Sequence, residues 1–234
     1  AKGTTVTLTV APDKGYVLDT LTVLDSKDKE IKLTEKNGKY TFTMPDSKVT
    51  VEAMFKAAGN NPFTDVPAGS YYEDAVIWAV DKGVTTGTSA TTFDPNGICT
   101  RAQAVTFLWR AAGSPAAKSG AMPFADVKAG SYCYDAVLWA VEQGITKGTS
   151  ETMFSPDATC TRAQIVTFLW RSQKSPAAGT ANPFTDVKAS AYYADAVLWA
   201  VKEDVTKGTT NTTFSPDATC TRAQIVTFIY RSVK

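Results

Sequence analysis

One pattern occurs three times in this chain of 234 residues, and it limits the possible folds more than any other feature. Phe63, Phe124 and Phe184 open the three copies, at steps of 61 and 60 residues. Each copy continues with a D-A-V-x-W-A-V segment, a T-x-G-T segment and a segment that begins Cys-Thr-Arg-Ala-Gln. A repeat of this length is one supersecondary unit used several times, so the sequence predicts three similar units.

Each copy has the pattern of two helices joined by a loop. In the first copy, the apolar residues of segment 72–80 follow the i, i+3, i+4 spacing of an amphipathic helix. The second helix is predicted to begin with a capping box, in which a Thr caps the helix and a Gln follows three residues later. These pairs are Thr100 with Gln103, Thr161 with Gln164 and Thr221 with Gln224. The segment behind them, such as AQIVTFLWR, is apolar over most of its surface, which favours a helix buried in a bundle.

Residues 1–57 follow a different pattern. Five segments alternate apolar and polar residues with period two, and the turn sequences PDKG, DSKDK, KNG and PDS separate them. They predict a compact antiparallel β domain, joined to the repeats by the linker AAGNN at 57–61. The domain has no cysteine, no tryptophan and no clustered acids, which favours a spacer or adhesive module over a catalytic one.

Composition excludes several kinds of chemistry. The chain has no histidine, which rules out Ser-His-Asp and Cys-His catalysis and histidine-ligated zinc. Neither common glycine-rich nucleotide loop occurs, the net charge is only +1, and no apolar run approaches the length of a membrane span. We therefore expect a chain that is not an enzyme, has no cofactor or metal site, and does not bind nucleic acid. Because the sequence opens directly into a strand pattern, we also expect it to be a fragment of a longer protein.

Residues 61–234 resemble three tandem S-layer homology (SLH) domains. The resemblance rests on F-[TA]-D-V, D-A-V-x-W-A-V, G-[VI]-T-x-G, T-F-x-P and T-R-A-Q. The N-terminal segment resembles the β repeats of bacterial surface proteins, on GYVLDTLTV and YTFTMPDSKVTVEAMF. Together these resemblances imply an α+β multi-domain chain. A small antiparallel β domain at 1–57 would precede a mainly α, pseudo-threefold trimer of SLH repeats at 61–115, 122–176 and 182–234, with a central three-helix bundle.

The SLH resemblance also implies a function. Such modules bind secondary cell wall polysaccharide in the grooves between repeats, commonly through a pyruvylated N-acetylmannosamine, and attach an extracellular protein to a Gram-positive-type envelope. The family usually has Glu where this chain has Gln103, Gln164 and Gln224. An adhesin or S-layer assembly module, which would bind host or neighbouring surface proteins or self-associate in a surface layer, is the alternative. A glycan hydrolase is disfavoured, because regularly repeated acids do not make an asymmetric acid/base pair.

The arginine of each Thr-Arg-Ala-Gln segment is the leading site candidate. A guanidinium beside the free N–H groups of a helix start suits a carboxylate such as a pyruvyl ketal. The alternative is an internal ion pair with the aspartate of the F-[TA]-D-V segment. The predicted saccharide-binding residues are Arg101, Arg162, Arg222, Asp65, Asp126, Asp186, Gly87, Gly148, Gly208, Lys147, Lys207, Tyr71, Tyr132 and Tyr192.

Other residues of the repeats have two interpretations. The loop glycines could let a sugar approach the backbone, or could be turn positions with positive φ. Lys147 and Lys207 precede two of them, whereas the first copy has Thr86, so the first pocket should differ in strength. The tryptophans at 78, 139 and 199 could stack on sugars, but helical periodicity favours packing between helices at least as much.

The chain has four cysteines. Cys99, Cys160 and Cys220 occupy equivalent positions just before a helix cap, and Cys133 replaces a tyrosine of the other copies. Two disulfides would break the symmetry of the repeats, and a buried thiol packs as a small apolar side chain. We therefore expect free thiols; a three-thiolate metal site is the less favoured alternative.

Overall fold

The computed structural model describes residues 1–13, 16–36, 38–57, 61–118 and 120–234. The predicted turns at 12–15 and 36–38 and the linker at 57–61 therefore lie partly outside the described residues. The chain divides into two compact units. One comprises Ala1–Asn61 with Pro67–Glu73, and the other comprises Pro62–Val66 with Asp74–Lys234.

The described N-terminal residues form five strands in two antiparallel sheets. The strands are β1 (Thr5–Thr9), β2 (Tyr16–Asp25), β3 (Thr34–Lys36), β4 (Lys39–Thr43) and β5 (Val49–Ala57). One sheet has the order β1-β4-β3, and the other pairs β2 with β5 around a bulge between Leu18 and Thr20. Val23 and Phe42 are the buried apolar side chains of this part. The predicted antiparallel β region is thus confirmed.

The described part of the repeats contains six helices, two in each sequence copy. They are α1 (Glu73–Asp81), α2 (Arg101–Ala111), α3 (Tyr134–Glu142), α4 (Arg162–Ser172), α5 (Ala194–Lys202) and α6 (Arg222–Ser232). All three predicted capping boxes are present at the starts of α2, α4 and α6. At α2, the Thr100 hydroxyl accepts from the Gln103 N–H at 3.2 Å, and the Gln103 side chain accepts from the Thr100 N–H at 3.0 Å.

Helices of successive repeats pack on one another. The second helices α2, α4 and α6 contact one another, α3 packs on α2, and α5 packs on α4. Trp78 of α1 packs on Tyr230 of α6, with ring centroids 5.6 Å apart. In the second and third repeats, the first helix therefore contacts the second helix of the preceding repeat. The first helix of the first repeat contacts the second helix of the third repeat in the same way.

Three backbone hydrogen bonds form a closed ring just before the second helices. The N–H of Cys99 donates to the carbonyl of Cys220 at 3.0 Å, that of Cys220 to Cys160 at 2.9 Å, and that of Cys160 to Cys99 at 2.9 Å. All three cysteines have 0% of their surface exposed. The ring joins the residues that precede α2, α4 and α6.

Candidate functional site

The arginine at the start of each second helix reaches into the next repeat. The Nε of Arg101 donates to the main-chain carbonyl of Phe154 at 2.9 Å, and its guanidinium lies 4.8 Å above the ring of the same residue. The equivalent bonds join Arg162 to Phe214 at 2.8 Å and Arg222 to Phe93 at 2.7 Å. The three arginines are only 3–6% exposed. Each therefore fixes the contact between two repeats.

The aspartate of each F-[TA]-D-V segment holds the turn that these arginines reach. Asp126 accepts the N–H groups of Phe154 and Ser155 on its two oxygens, at 2.9 and 2.7 Å. Asp65 binds Phe93 and Asp94 in the same way, and Asp186 binds Phe214 and Ser215. Aspartate and arginine thus meet on opposite sides of one main-chain unit: the N–H of Phe154 faces Asp126 and its carbonyl faces Arg101.

The N–H groups at the helix starts are not free, contrary to the expectation from sequence. The N–H of Arg101 donates to the carbonyl of Ala158 at 2.8 Å, and that of Ala102 donates to Pro156 at 3.0 Å. The turn of the following repeat supplies both acceptors, and α4 and α6 follow the same rule. An approaching anion would therefore meet the arginine side chain rather than the helix end.

Two of the arginines keep an unused donor. The Nη2 atoms of Arg101 and Arg222 are buried and have no hydrogen-bond partner among the described residues. Burial lowers the pKa of both guanidinium groups, because the charged form loses solvation. A buried N–H of a charged group without an acceptor is costly, so these atoms are sites where a ligand oxygen would be stabilised.

Each of these two arginines lines a groove built from all three repeats. In the first groove, Arg222 of the third repeat faces Gly87 and α2 of the first, and Tyr132 of the second completes the wall. In the second groove, Arg101 faces Gly148 and α4, and Tyr192 completes the wall. The cavity volumes are about 150 Å³ and 350 Å³. The structure thus brings together predicted residues that lie far apart in the sequence.

Two of the predicted tyrosines, Tyr132 and Tyr192, lie at the surface of these grooves. Tyr132 is 62% exposed and Tyr192 is 61% exposed; Tyr71 is also 61% exposed but lines neither of these two grooves. Partial burial raises the pKa of Tyr192, against the opposing effect of the nearby Arg101 charge. The rings of Tyr132 and Tyr192 offer flat apolar surface, and their hydroxyl groups offer a donor and an acceptor, at the mouths of the first and second grooves.

The glycines have a packing reason of their own. Gly148 has φ of +81°, and a Cβ there would lie 2.4 Å from the Met153 carbonyl and 2.5 Å from the Phe124 ring. Gly87 and Gly208 are equally confined. Lys147 is exposed at the second groove, whereas the Nζ of the exposed Lys207 lies 3.6 Å from Asp204.

Sequence reasoning missed one set of groove residues. Arg110 and Arg171, in the last turns of α2 and α4, line the first and second grooves. Their Nη1 atoms donate to the carbonyls of Val84 and Ile145, at 3.3 and 3.2 Å. Arg110 follows Gln103 by seven residues, which places the two on one helix face. That spacing is the signal that could have identified them.

The remaining candidates belong to the core. Trp139 and Trp199 are 7% and 4% exposed, so they pack between helices. All four cysteines are free and buried. Within the described residues, no group of three or more Cys, Asp or Glu side chains is arranged to hold a metal ion.

Comparison with known families identifies the chain. The model of the S-layer homology domain matches residues 62–105, 123–166 and 183–226, and that of the divergent InlB B-repeat domain matches residues 1–59. The chain therefore belongs to the S-layer homology family, with a divergent InlB B-repeat domain before its three SLH domains. Both resemblances inferred from the sequence are confirmed.

Several known proteins are similar to part of this chain. The chain is 31% identical over 182 residues to a surface-layer 125 kDa protein of Lysinibacillus sphaericus; the match covers 76% of this chain and 15% of that protein. It is 36% identical over 115 residues to an endoglucanase of Bacillus sp. strain KSM-635, 49% of this chain and 12% of the enzyme. It is 29% identical over 152 residues to a cellulosome-anchoring protein of Acetivibrio thermocellus, 61% of this chain and 33% of that protein.

These matches define where the chain acts. The match spans only 15% of the Lysinibacillus surface-layer protein and 33% of the cellulosome-anchoring protein. The family and the surface-layer relatives place it outside the cell, at the bacterial surface. Among the described residues, no helix has the length and apolar character needed to cross a membrane.

Proposed function

We propose that the three repeats form a non-catalytic module that holds a surface protein on the cell wall by binding secondary cell wall polysaccharide in the grooves between repeats. The observation that carries this proposal is the buried, unused Nη2 donor of Arg101 and of Arg222, each lining a groove open to solvent. A carboxylate, such as that of a pyruvyl ketal, supplies the acceptor and the negative charge that this donor lacks.

The architecture proposed for the module is a pseudo-threefold trimer within one chain, around a central bundle of α2, α4 and α6. Two observations support it: the closed ring of cysteine backbone hydrogen bonds, and the repetition of the arginine–phenylalanine contact from each repeat to the next. We assign the repeats to 61–115, 122–176 and 182–234, after the β domain at 1–57. Because each groove draws on three repeats, loss of one repeat would damage more than one site.

Within this proposal the site residues have distinct roles. Arg101, Arg162 and Arg222 would bind the acidic group, and Lys147 and Lys207 would add positive charge at the rim. The tyrosines Tyr71, Tyr132 and Tyr192 would contact the sugar face, and the glycines Gly87, Gly148 and Gly208 would admit it to the backbone. Asp65, Asp126 and Asp186 would act by holding the turns on which the arginines depend.

The relatives support anchoring rather than catalysis. One is named for anchoring a cellulosome, and others are surface-layer proteins. The endoglucanase shares only 12% of its length with this chain, so the shared part is a module found in proteins of different activity. We propose that this chain carries no catalytic activity and that any cargo lies in other parts of the protein.

The test is calorimetric titration of the whole chain with purified secondary cell wall polysaccharide and with the same polymer after removal of its pyruvate. We expect binding to the pyruvylated polymer alone. Arg101→Lys keeps the charge but loses the planar fork, and should weaken binding in its groove about tenfold. Lys128→Ala, an exposed charge outside both grooves, is the control. Equal binding to both polymers would contradict the carboxylate assignment, and binding to neither would favour the adhesin or assembly alternative.

A further inference from the structure

The charge inside the two grooves is entirely positive. Among the described residues that line them, neither groove contains an Asp or a Glu. The first groove contains Arg222 and Arg110. The second contains Arg101, Arg171 and Lys147. A net charge of only +1 for the chain makes this concentration of cations a local feature.

Arg110 and Arg171 are held in place without being neutralised. Each uses one N–H of its Nη1 to bind a carbonyl of the loop that lines the same groove. Neither forms an ion pair with another described residue, and both are half-buried. A guanidinium has five N–H donors, so most of the donors of Arg110 and Arg171 remain for a ligand.

The glutamines keep the grooves free of negative charge. Gln103 and Gln164 line the first and second grooves, and the Oε1 of each accepts the N–H of its capping threonine, at 3.0 and 3.2 Å. A glutamate would fill the same capping role but would bring a negative charge beside the arginines. In each glutamine, the side-chain NH₂ group beside this Oε1 carries only N–H donors and no negative charge.

The grooves differ at one position. Lys147 precedes the glycine of the second groove, and Thr86 precedes that of the first. We propose that Arg110 and Arg171 form a second cationic position in each groove, and that Lys147 makes the second groove prefer a glycan unit that bears two negative charges. This inference rests on the proposed polysaccharide binding for its biological ligand, but its electrostatic part can be tested separately.

The test uses the whole chain and two simple probes. Inorganic phosphate at about pH 8 is mainly a dianion, and acetate is a monoanion of similar size. The ¹⁵N-detected Nε–H signals of Arg222 and Arg101 report the first and second groove separately, since each is fixed by a hydrogen bond to a carbonyl. The variants are Thr86→Lys, Lys147→Thr, Arg110→Gln and Arg171→Gln, with Lys128→Thr as the matched surface control.

We expect phosphate to bind the second groove about fourfold more tightly than the first, as one added exposed charge predicts. Thr86→Lys should remove this difference by strengthening the first groove, and Lys147→Thr should remove it by weakening the second. Arg110→Gln and Arg171→Gln should each weaken phosphate about tenfold in their own groove, and acetate much less.

Two results would overturn the inference. One is equal phosphate affinity of the two grooves in the natural sequence together with no effect of Thr86→Lys. The other is an equal loss of phosphate and acetate on Arg110→Gln and Arg171→Gln, which would make these arginines supports of the loop only. If the grooves discriminate between phosphate and acetate but the chain does not bind the pyruvylated polymer, the anchoring proposal is wrong and this inference holds. If the chain binds the polymer but the grooves do not discriminate between the two anions, this inference is wrong and the anchoring proposal holds.

Discussion

The Nε of Arg222, in the last helix, donates a 2.7 Å hydrogen bond to the main-chain carbonyl of Phe93, 129 residues earlier in the chain. Equivalent hydrogen bonds join the first repeat to the second, from Arg101 to Phe154 at 2.9 Å, and the second to the third, from Arg162 to Phe214 at 2.8 Å. Open arrays of repeats need specialised end units to cover their exposed faces. Here the third repeat contacts the first as each repeat contacts the next, so the chain covers its own ends.

Arg222→Lys should destabilise the fold more than the same change elsewhere on α6. A lysine cannot donate to the Phe93 carbonyl in the same geometry and would leave a buried ammonium poorly paired, at a cost of about 2–3 kcal/mol in the free energy of unfolding. Urea unfolding measures this loss. Arg231→Lys is the control, since the Nη1 of Arg231 donates to the Val205 carbonyl at 3.4 Å and the side chain is only half-buried; it should cost less than about 1 kcal/mol. Similar losses in the two variants would contradict the closure role of Arg222.

Asp126→Asn should destabilise the second repeat. The carboxylate accepts two backbone N–H groups, and an amide would accept one and direct its own N–H₂ at the other. We expect a loss of about 1–3 kcal/mol, visible as a lower midpoint of thermal unfolding. Asp157→Asn makes the same chemical change at an exposed turn residue and should leave the midpoint almost unchanged. A midpoint unaffected by Asp126→Asn would show that the turn does not depend on the carboxylate.

Local features of the repeats could be predicted from the sequence because their causes are local. The apolar spacing of segment 72–80 and the Thr100–Gln103 box both act within one or two turns of helix. The expectation of free N–H groups at Arg101 was wrong because their acceptors are not local: they belong to a turn more than fifty residues away. No local pattern specifies which carbonyl another repeat will bring to a helix start.

The missed groove arginines illustrate the same limit. A basic residue in the last turn of a helix is common, because it stabilises the helix dipole wherever the side chain points. The spacing from Gln103 gives the helix face of Arg110, but it does not indicate that the loop at Val84, 26 residues earlier in the chain, will lie beside that face. The aspartate and the arginine also meet through a third residue that the sequence does not single out: Asp126 and Arg101 both bind the main chain of Phe154.

Two glycines of the second repeat separate the cost of backbone strain from the cost of a clash. Gly144 and Gly148 both have positive φ, +70° and +81°. A Cβ on Gly144 would meet nothing within 4 Å, so Gly144→Ala should cost only about 1–2 kcal/mol. A Cβ on Gly148 would strike the main-chain carbonyl of Met153, which cannot move without opening the loop, so Gly148→Ala should cost several kcal/mol more or prevent folding. Chemical unfolding and circular dichroism test this order, and equal costs would show that the loop yields.

The buried cysteines should make the fold sensitive to alkali. Burial raises the pKa of Cys99 and Cys220 to about 12, from an ordinary value of 9.0, and raises that of Cys160 further. In the unfolded chain these thiols lose their protons from about pH 8.5, whereas in the native state they stay protonated. Unfolding therefore releases protons in this window, so the free energy of unfolding should be level below about pH 8 and fall as the pH rises toward 12.

Urea unfolding at a series of pH values between about 7 and 10.5 measures this dependence. Cys99→Ala will lower the stability at every pH because it leaves a small cavity, but it should also make the decline less steep, since one titrating group has been removed. All other ionisable groups are the same in the natural protein and in Cys99→Ala, so the difference between the two slopes isolates the thiol. Identical slopes would mean that Cys99 ionises as readily in the native state as in the unfolded chain, which its complete burial at the ring of backbone hydrogen bonds argues against.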